Sequence, residues 1–123
     1  TDETTSNPKI IVQAFLDEVK RIGLIQKQDV LISFSPIDSL VLAQCLSMNN
    51  DNLVTIEINP EHWKRSSSQK KWYILYHELG HDVLNIEHTG SECRMMQPIS
   101  DREYSWDEFL EDRSEMFLFW LKQ

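Results

Sequence analysis

Glycine and proline are scarce in this 123-residue chain, with three and four residues, and cysteine occurs only twice. So little glycine and proline excludes collagen-like and low-complexity architectures. Two thiols, Cys45 and Cys93, could pair but define no disulfide framework. Each reads by default as a small buried hydrophobe. No apolar run approaches the roughly 18 residues that a membrane span needs, and no signal peptide is recognisable in the chain as given. Cations are outnumbered, 12 Lys and Arg against 20 Asp and Glu, for a net charge of −8. That balance argues against nucleic acid as a partner, because phosphate binding needs clustered Lys and Arg. A solvated acidic surface explains it more simply than a preference for basic substrates.

What is present suits one globular domain. Hydrophobic residues make up 41% of the chain, enough for a single modest core. Residues 1–7 read as a flexible polar lead and 8–123 as the domain. A Thr/Ser/Asp/Asn-rich lead without a starting Met suits a linker behind a removed signal or a lipid anchor as well as it suits an arbitrary boundary. On that ground a secreted or cell-envelope location is favoured over a cytoplasmic one.

Asn7 is a good helix cap and Pro8 suits a first helical position, so a helix is expected over 8–22, ended by Gly23. Ile11, Phe15, Val19 and Ile22 share its buried face. Strand signals follow. DVLISFSP alternates through Val30, Ile32 and Phe34, LVLAQCLSM is a second apolar run, and LVTIEINP alternates again up to Pro60. Residues 40–58 look like an antiparallel hairpin around the turn-rich NNDN. A second helix is expected after Ser66–Ser68, capped by Ser66 with Gln69, and a third from Ser105, capped with Glu108. The first of these carries a stripe of Trp72, Leu75, Tyr76, Leu79 and Val83. The second carries Trp106, Phe109, Leu110, Phe117, Trp120 and Leu121. The order predicts an α+β domain with a small, mostly antiparallel or mixed sheet packed on helices.

The chemistry lies in HELGH, residues 77–81. Side chains four apart on a helix share a face, so His77 and His81 can aim ring nitrogens at one ion. Glu78, rotated by about 100°, can hold a water on that ion and act as general base. A catalytic zinc takes three protein ligands and keeps one position open. Downstream, His88 and Glu87 are both available, and His88 is the better donor. Asn85 can turn the chain back toward the metal, since Asn tolerates the left-handed conformation at a helix end.

HELGHDVLNIEH followed by TGSECRMMQP resembles the metzincin zinc peptidases, whose motif is H-E-x-x-H-x-x-G-x-x-H and then a turn carrying a methionine beneath the metal. The resemblance covers residues 77–98 and implies a minimal, zincin-like catalytic domain holding Zn2+. It implies His77, His81 and His88 as ligands, Glu78 as base and Met96 as the methionine of the turn, with Met95 as the neighbour that could replace it. The chain departs from the family in two ways: the stretch between His81 and His88 is one residue longer, and the family glycine is absent.

The reading is therefore a zinc metallopeptidase acting on a peptide or protein substrate, which could add a strand along residues 53–58. Two alternatives stand beside it. One is an HExxH protease of the gluzincin or repressor-cleaving type, with a carboxylate such as Glu108, Glu111, Asp112 or Glu115 as third ligand. The other is a zinc-binding module without activity, although binding alone would not need Glu78. Tyr104 could stabilise an oxyanion or simply pack, Arg113 could pair with a buried carboxylate, and His62 reads as a surface or partly packed histidine.

Overall fold

The computed structural model describes residues 7–23, 29–34, 43–45, 53–82, 94–96 and 104–122. Helix α1 spans Pro8–Arg21 and is followed by strands β1 (Asp29–Phe34), β2 (Ala43–Cys45) and β3 (Leu53–Ile58). Helix α2 (Pro60–Arg65), helix α3 (Ser68–Asp82), a 3-10 turn (Arg94–Met96) and helix α4 (Trp106–Leu121) complete the described elements. None of these helices is long and apolar enough to cross a membrane.

The helix starts follow local chemistry. Asn7 Oδ1 accepts the Lys9 N–H at 3.0 Å and Pro8 opens α1. Gly23 follows the helix at φ +103°, a conformation that costs a residue without a Cβ little. The same Asn–Pro signature starts α2, a helix the strand pattern did not predict. Asn59 Oδ1 accepts from the N–H groups of Glu61 and His62 at 3.0 and 3.1 Å. Ser105 and Glu108 form the expected capping box at α4.

The cap of α3 is Ser67 rather than Ser66. The Ser67 hydroxyl accepts the Lys70 N–H at 3.2 Å. Ser66 is already committed to the end of α2, where its hydroxyl donates to the His62 carbonyl at 2.8 Å.

The sheet is mixed, with order β1–β3–β2. β2 and β3 form the expected antiparallel pair, Ala43 opposite Ile58. The longer pairing, β1 with β3 from Asp29–Leu53 to Phe34–Ile58, is parallel, so the sheet is not mostly antiparallel. Hydrophobic alternation sets which face of a strand is buried but carries no strand direction. β3 lies between two partners, so its residues 56–58 are not open to the substrate strand expected there. It pairs with β1 along its whole length and with β2 over Ile56–Ile58, and among the described residues β1 and β2 form the edges of the sheet.

α3 is the core of the molecule. Every residue from Lys70 to His77 is buried, as are Leu79 and Gly80. A helix buried on nearly all sides must be covered by several elements. Phe15 of α1 meets Tyr76 edge-on with ring centroids 5.1 Å apart, and Phe109 of α4 meets the same ring at 5.0 Å. Trp72 packs against Trp106 and Phe109 at 6.2 and 5.8 Å. Each such aromatic pair adds about 0.5–1.5 kcal/mol beyond simple burial.

The four tryptophans are core or partly core: Trp63 and Trp72 are buried, Trp106 and Trp120 half-buried. Two residues expected inside face outward, Phe34 at 50% exposure and Leu121 at 51%. Phe34 meets the Trp63 ring edge-on at 6.4 Å.

Candidate metal centre

α3 carries the motif into the buried interior. His77 is 2% exposed, and its Nδ1 lies 2.7 Å from the Met95 carbonyl oxygen. A carbonyl can only accept, so Nδ1 must be the protonated nitrogen. In the neutral ring this leaves a lone pair on Nε2. That lone pair faces His81, whose Nε2 is 3.1 Å away, with the two rings at 89°.

The donor set fits zinc at two positions. Ligand nitrogens at about 2.0–2.1 Å from one tetrahedral ion lie about 3.3 Å apart, close to the observed spacing. A ligating histidine is normally oriented by donating its other N–H to a carbonyl or carboxylate, and Met95 supplies that carbonyl. Glu78, the next residue along α3, is half-buried.

Met96 is fully buried at the same helix. A Cβ built on Gly80 would stand 2.6 Å from the Met96 Sδ and 3.0 Å from the Met116 Sδ. The glycine of HELGH therefore lets the 3-10 turn and α4 close onto the helix between its two histidines. Met96 is thereby packed tight against the motif helix.

Arg94, just before the two methionines, gathers the carboxylates of α4. Its backbone N–H donates to Glu115 Oε1 at 2.6 Å, and its Nη2 donates to Glu111 Oε1 at 2.7 Å. Its Nε stands 3.1 Å from Asp112 Oδ1, an ion pair without hydrogen-bond alignment. The Tyr73 hydroxyl donates to the other Asp112 oxygen at 2.6 Å. Burial pushes the Asp112 carboxyl above the ordinary range, against the opposing pull of Tyr73 and Arg94. The hydrogen bond to Glu111, with Asp112 and Glu115 alongside, raises the Arg94 guanidinium further.

Glu111, Asp112 and Glu115 are thus engaged with Arg94, and Glu108 with its cap. Among the described residues no three His, Cys, Asp or Glu side chains converge as a metal site. His88 and Glu87, with Asn85 and Cys93, lie outside the described residues.

The remaining candidates have structural positions. Tyr104 is buried and stacks on Tyr73, with centroids 4.0 Å apart. Arg113 lies over the Phe109 ring at 5.5 Å, and the buried carboxylate beside it is met by Arg94. His62 is half-buried on α2. A surface cavity of about 280 Å³ lies between α1, α3 and α4, and neither His77, Glu78 nor His81 lines it.

Sequence reasoning missed Arg94, Tyr73 and Asp112 as a connected group. The available signal was three acids at helical spacing, 111, 112 and 115, and one arginine directly before the methionine pair. No protein-family model, curated protein or solved structure matches the chain.

Proposed function

We propose that this chain is a small zinc-dependent peptidase of zincin-like, metzincin-like design. The observation that carries the reading is the His77 ring. A buried carbonyl holds its Nδ1–H, and its Nε2 is aimed at the Nε2 of His81. His77, His81 and, from outside the described residues, His88 hold the zinc. When bound, zinc polarises the scissile carbonyl and lowers the pKa of the attacking water. Glu78 takes the proton from that water and passes it to the leaving amine. Met96 supports the helix from beneath at Gly80. An extended peptide would pair with an edge of the sheet, and β2, an edge strand among the described residues, packs beside α3.

Zinc content and hydrolysis of a broad peptide library test this reading. The wild type should bind about one zinc per chain, and His77→Ala or His81→Ala should abolish stoichiometric binding. Full metal retention by both variants would end the zinc reading. Glu78→Gln should keep zinc and fold while losing about 10²–10⁴-fold in turnover. Zinc binding with no turnover by the wild type would leave a binding module. For the third ligand, His88→Ala should weaken zinc substantially while Glu87→Ala and Glu111→Ala leave it nearly unchanged. Loss only in a carboxylate variant would favour the gluzincin arrangement.

A further inference from the structure

The group around Arg94 is connected to one of the two histidines through the main chain. Met95, whose carbonyl accepts the His77 Nδ1–H, is the residue after Arg94. The 3-10 turn that presents this carbonyl is held at its first residue by Glu115, through the Arg94 backbone N–H. The Arg94 side chain is held in turn by Glu111 and Asp112, one helical turn earlier on α4. Asp112 also reaches α3 through Tyr73, which precedes His77 by four residues and so shares its helix face.

We infer that Glu115 and Arg94 act as a positioning clamp. They hold the Met95 carbonyl in place and thereby hold His77 in the Nδ1–H tautomer with Nε2 available to a metal. The inference rests on the zinc reading for its consequence, but not for its geometry.

Two features favour a positioning role over a merely stabilising one. Arg94 is 47% exposed in its side chain and Glu115 32%, so screened ion pairing there contributes little to stability. The bond from the Arg94 backbone, however, fixes main chain rather than a mobile side chain, and it does so one residue from the acceptor carbonyl. Among the described contacts this single 3-10 turn is held by the burial of Met95 and Met96 against α3 and α4, by the His77 bond to the Met95 carbonyl, by the Arg94 side chain on Glu111, and, on its main-chain N–H, by Glu115. Outer partners of this kind typically govern about 10–100-fold in metal affinity.

The test uses the whole chain, with zinc removed and then with zinc alone as the probe. Nitrogen NMR of the imidazoles at a pH where His77 is neutral reports its tautomer in the metal-free protein. The wild type and Glu115→Gln, which still accepts the Arg94 N–H, should show Nδ1–H. Glu115→Ala should shift the population toward Nε2–H, the form a free imidazole prefers. With circular dichroism unchanged, its zinc affinity should fall by about tenfold or more, and Glu115→Gln should restore it. Should Glu115→Ala fail to fold, Glu115→Leu, which likewise offers no acceptor to the Arg94 N–H but keeps a side chain of similar bulk, gives the same comparison. An unchanged tautomer in the alanine variant overturns the clamp, as does a changed tautomer with wild-type zinc affinity. If the wild type binds no zinc, the peptidase reading fails and the tautomer comparison alone decides the clamp.

Discussion

Gly80→Ala sets two known effects against each other at the centre of the motif. An alanine in a helix interior is favoured over glycine by about 1 kcal/mol, so on propensity alone the variant should be more stable. The structure opposes this. The new methyl carbon would stand 2.6 Å from the Met96 Sδ, 3.0 Å from the Met116 Sδ and 3.1 Å from the Met96 Cε. All three atoms are near the ends of flexible side chains, which can move, but both methionines are fully buried and have little room to do so. Overpacking of this kind costs about 1–3 kcal/mol. The expected net is a loss of up to about 2 kcal/mol, and urea unfolding should show a lower midpoint at an unchanged slope. A cycle with Met96→Ala separates the terms, because it removes two of the three close approaches. The two substitutions should couple by about 0.5–3 kcal/mol, with Gly80→Ala less harmful in the Met96→Ala background. If Gly80→Ala stabilises the wild type by the full helix-propensity gain and shows no coupling, the close packing of Met96 on the HELGH helix is refuted.

Other outcomes follow from single groups. Ser105→Ala removes the acceptor of the Glu108 N–H and half of a reciprocal capping box, and should cost about 1 kcal/mol in a denaturant titration. Asn59→Ala should cost a similar amount, about 0.5–2 kcal/mol, because it leaves two N–H groups of α2 without their cap. For Asp112, burial raises the folded pKa above the unfolded value of 3.8, so the folded state holds this proton more tightly. Its contribution is therefore fully present below 3.8 and is lost as pH rises through the raised folded value. Compared at successive pH values from 3.8 up to the raised folded value, Asp112→Asn should gain stability relative to the wild type, and a gap that moves the other way refutes the sign.

Local chemistry was legible wherever a residue acts on its own neighbours. Asn7–Pro8 and Ser105–Glu108 announce helix starts because the bonds they make lie within three residues. Asn59–Pro60 carried the same announcement, obscured by the strand pattern running into it. Ser66 against Ser67 could not be decided from spacing, because the choice depends on α2 claiming Ser66 first. The parallel β1–β3 pairing and the outward turn of Phe34 were not legible either, since both depend on which strand lies at the edge.

The site divides along the same line. The pairing of His77 with His81 is a property of one helix, and four-residue spacing was enough to place the two nitrogens together. What makes His77 more than a polar core residue is the carbonyl of Met95, eighteen positions away in sequence. That contact requires the turn at Arg94–Met96 to lie flat on α3, which requires Gly80, which in turn admits Met116 from α4. The motif glycine, the methionine pair and the acids of the last helix are therefore parts of one packing arrangement. An acidic triplet on α4 read alone suggests a solvated face or a ligand set. Placed over Arg94 it becomes the anchorage of the chain segment that orients a histidine, because there those charges meet both a cation and its backbone N–H.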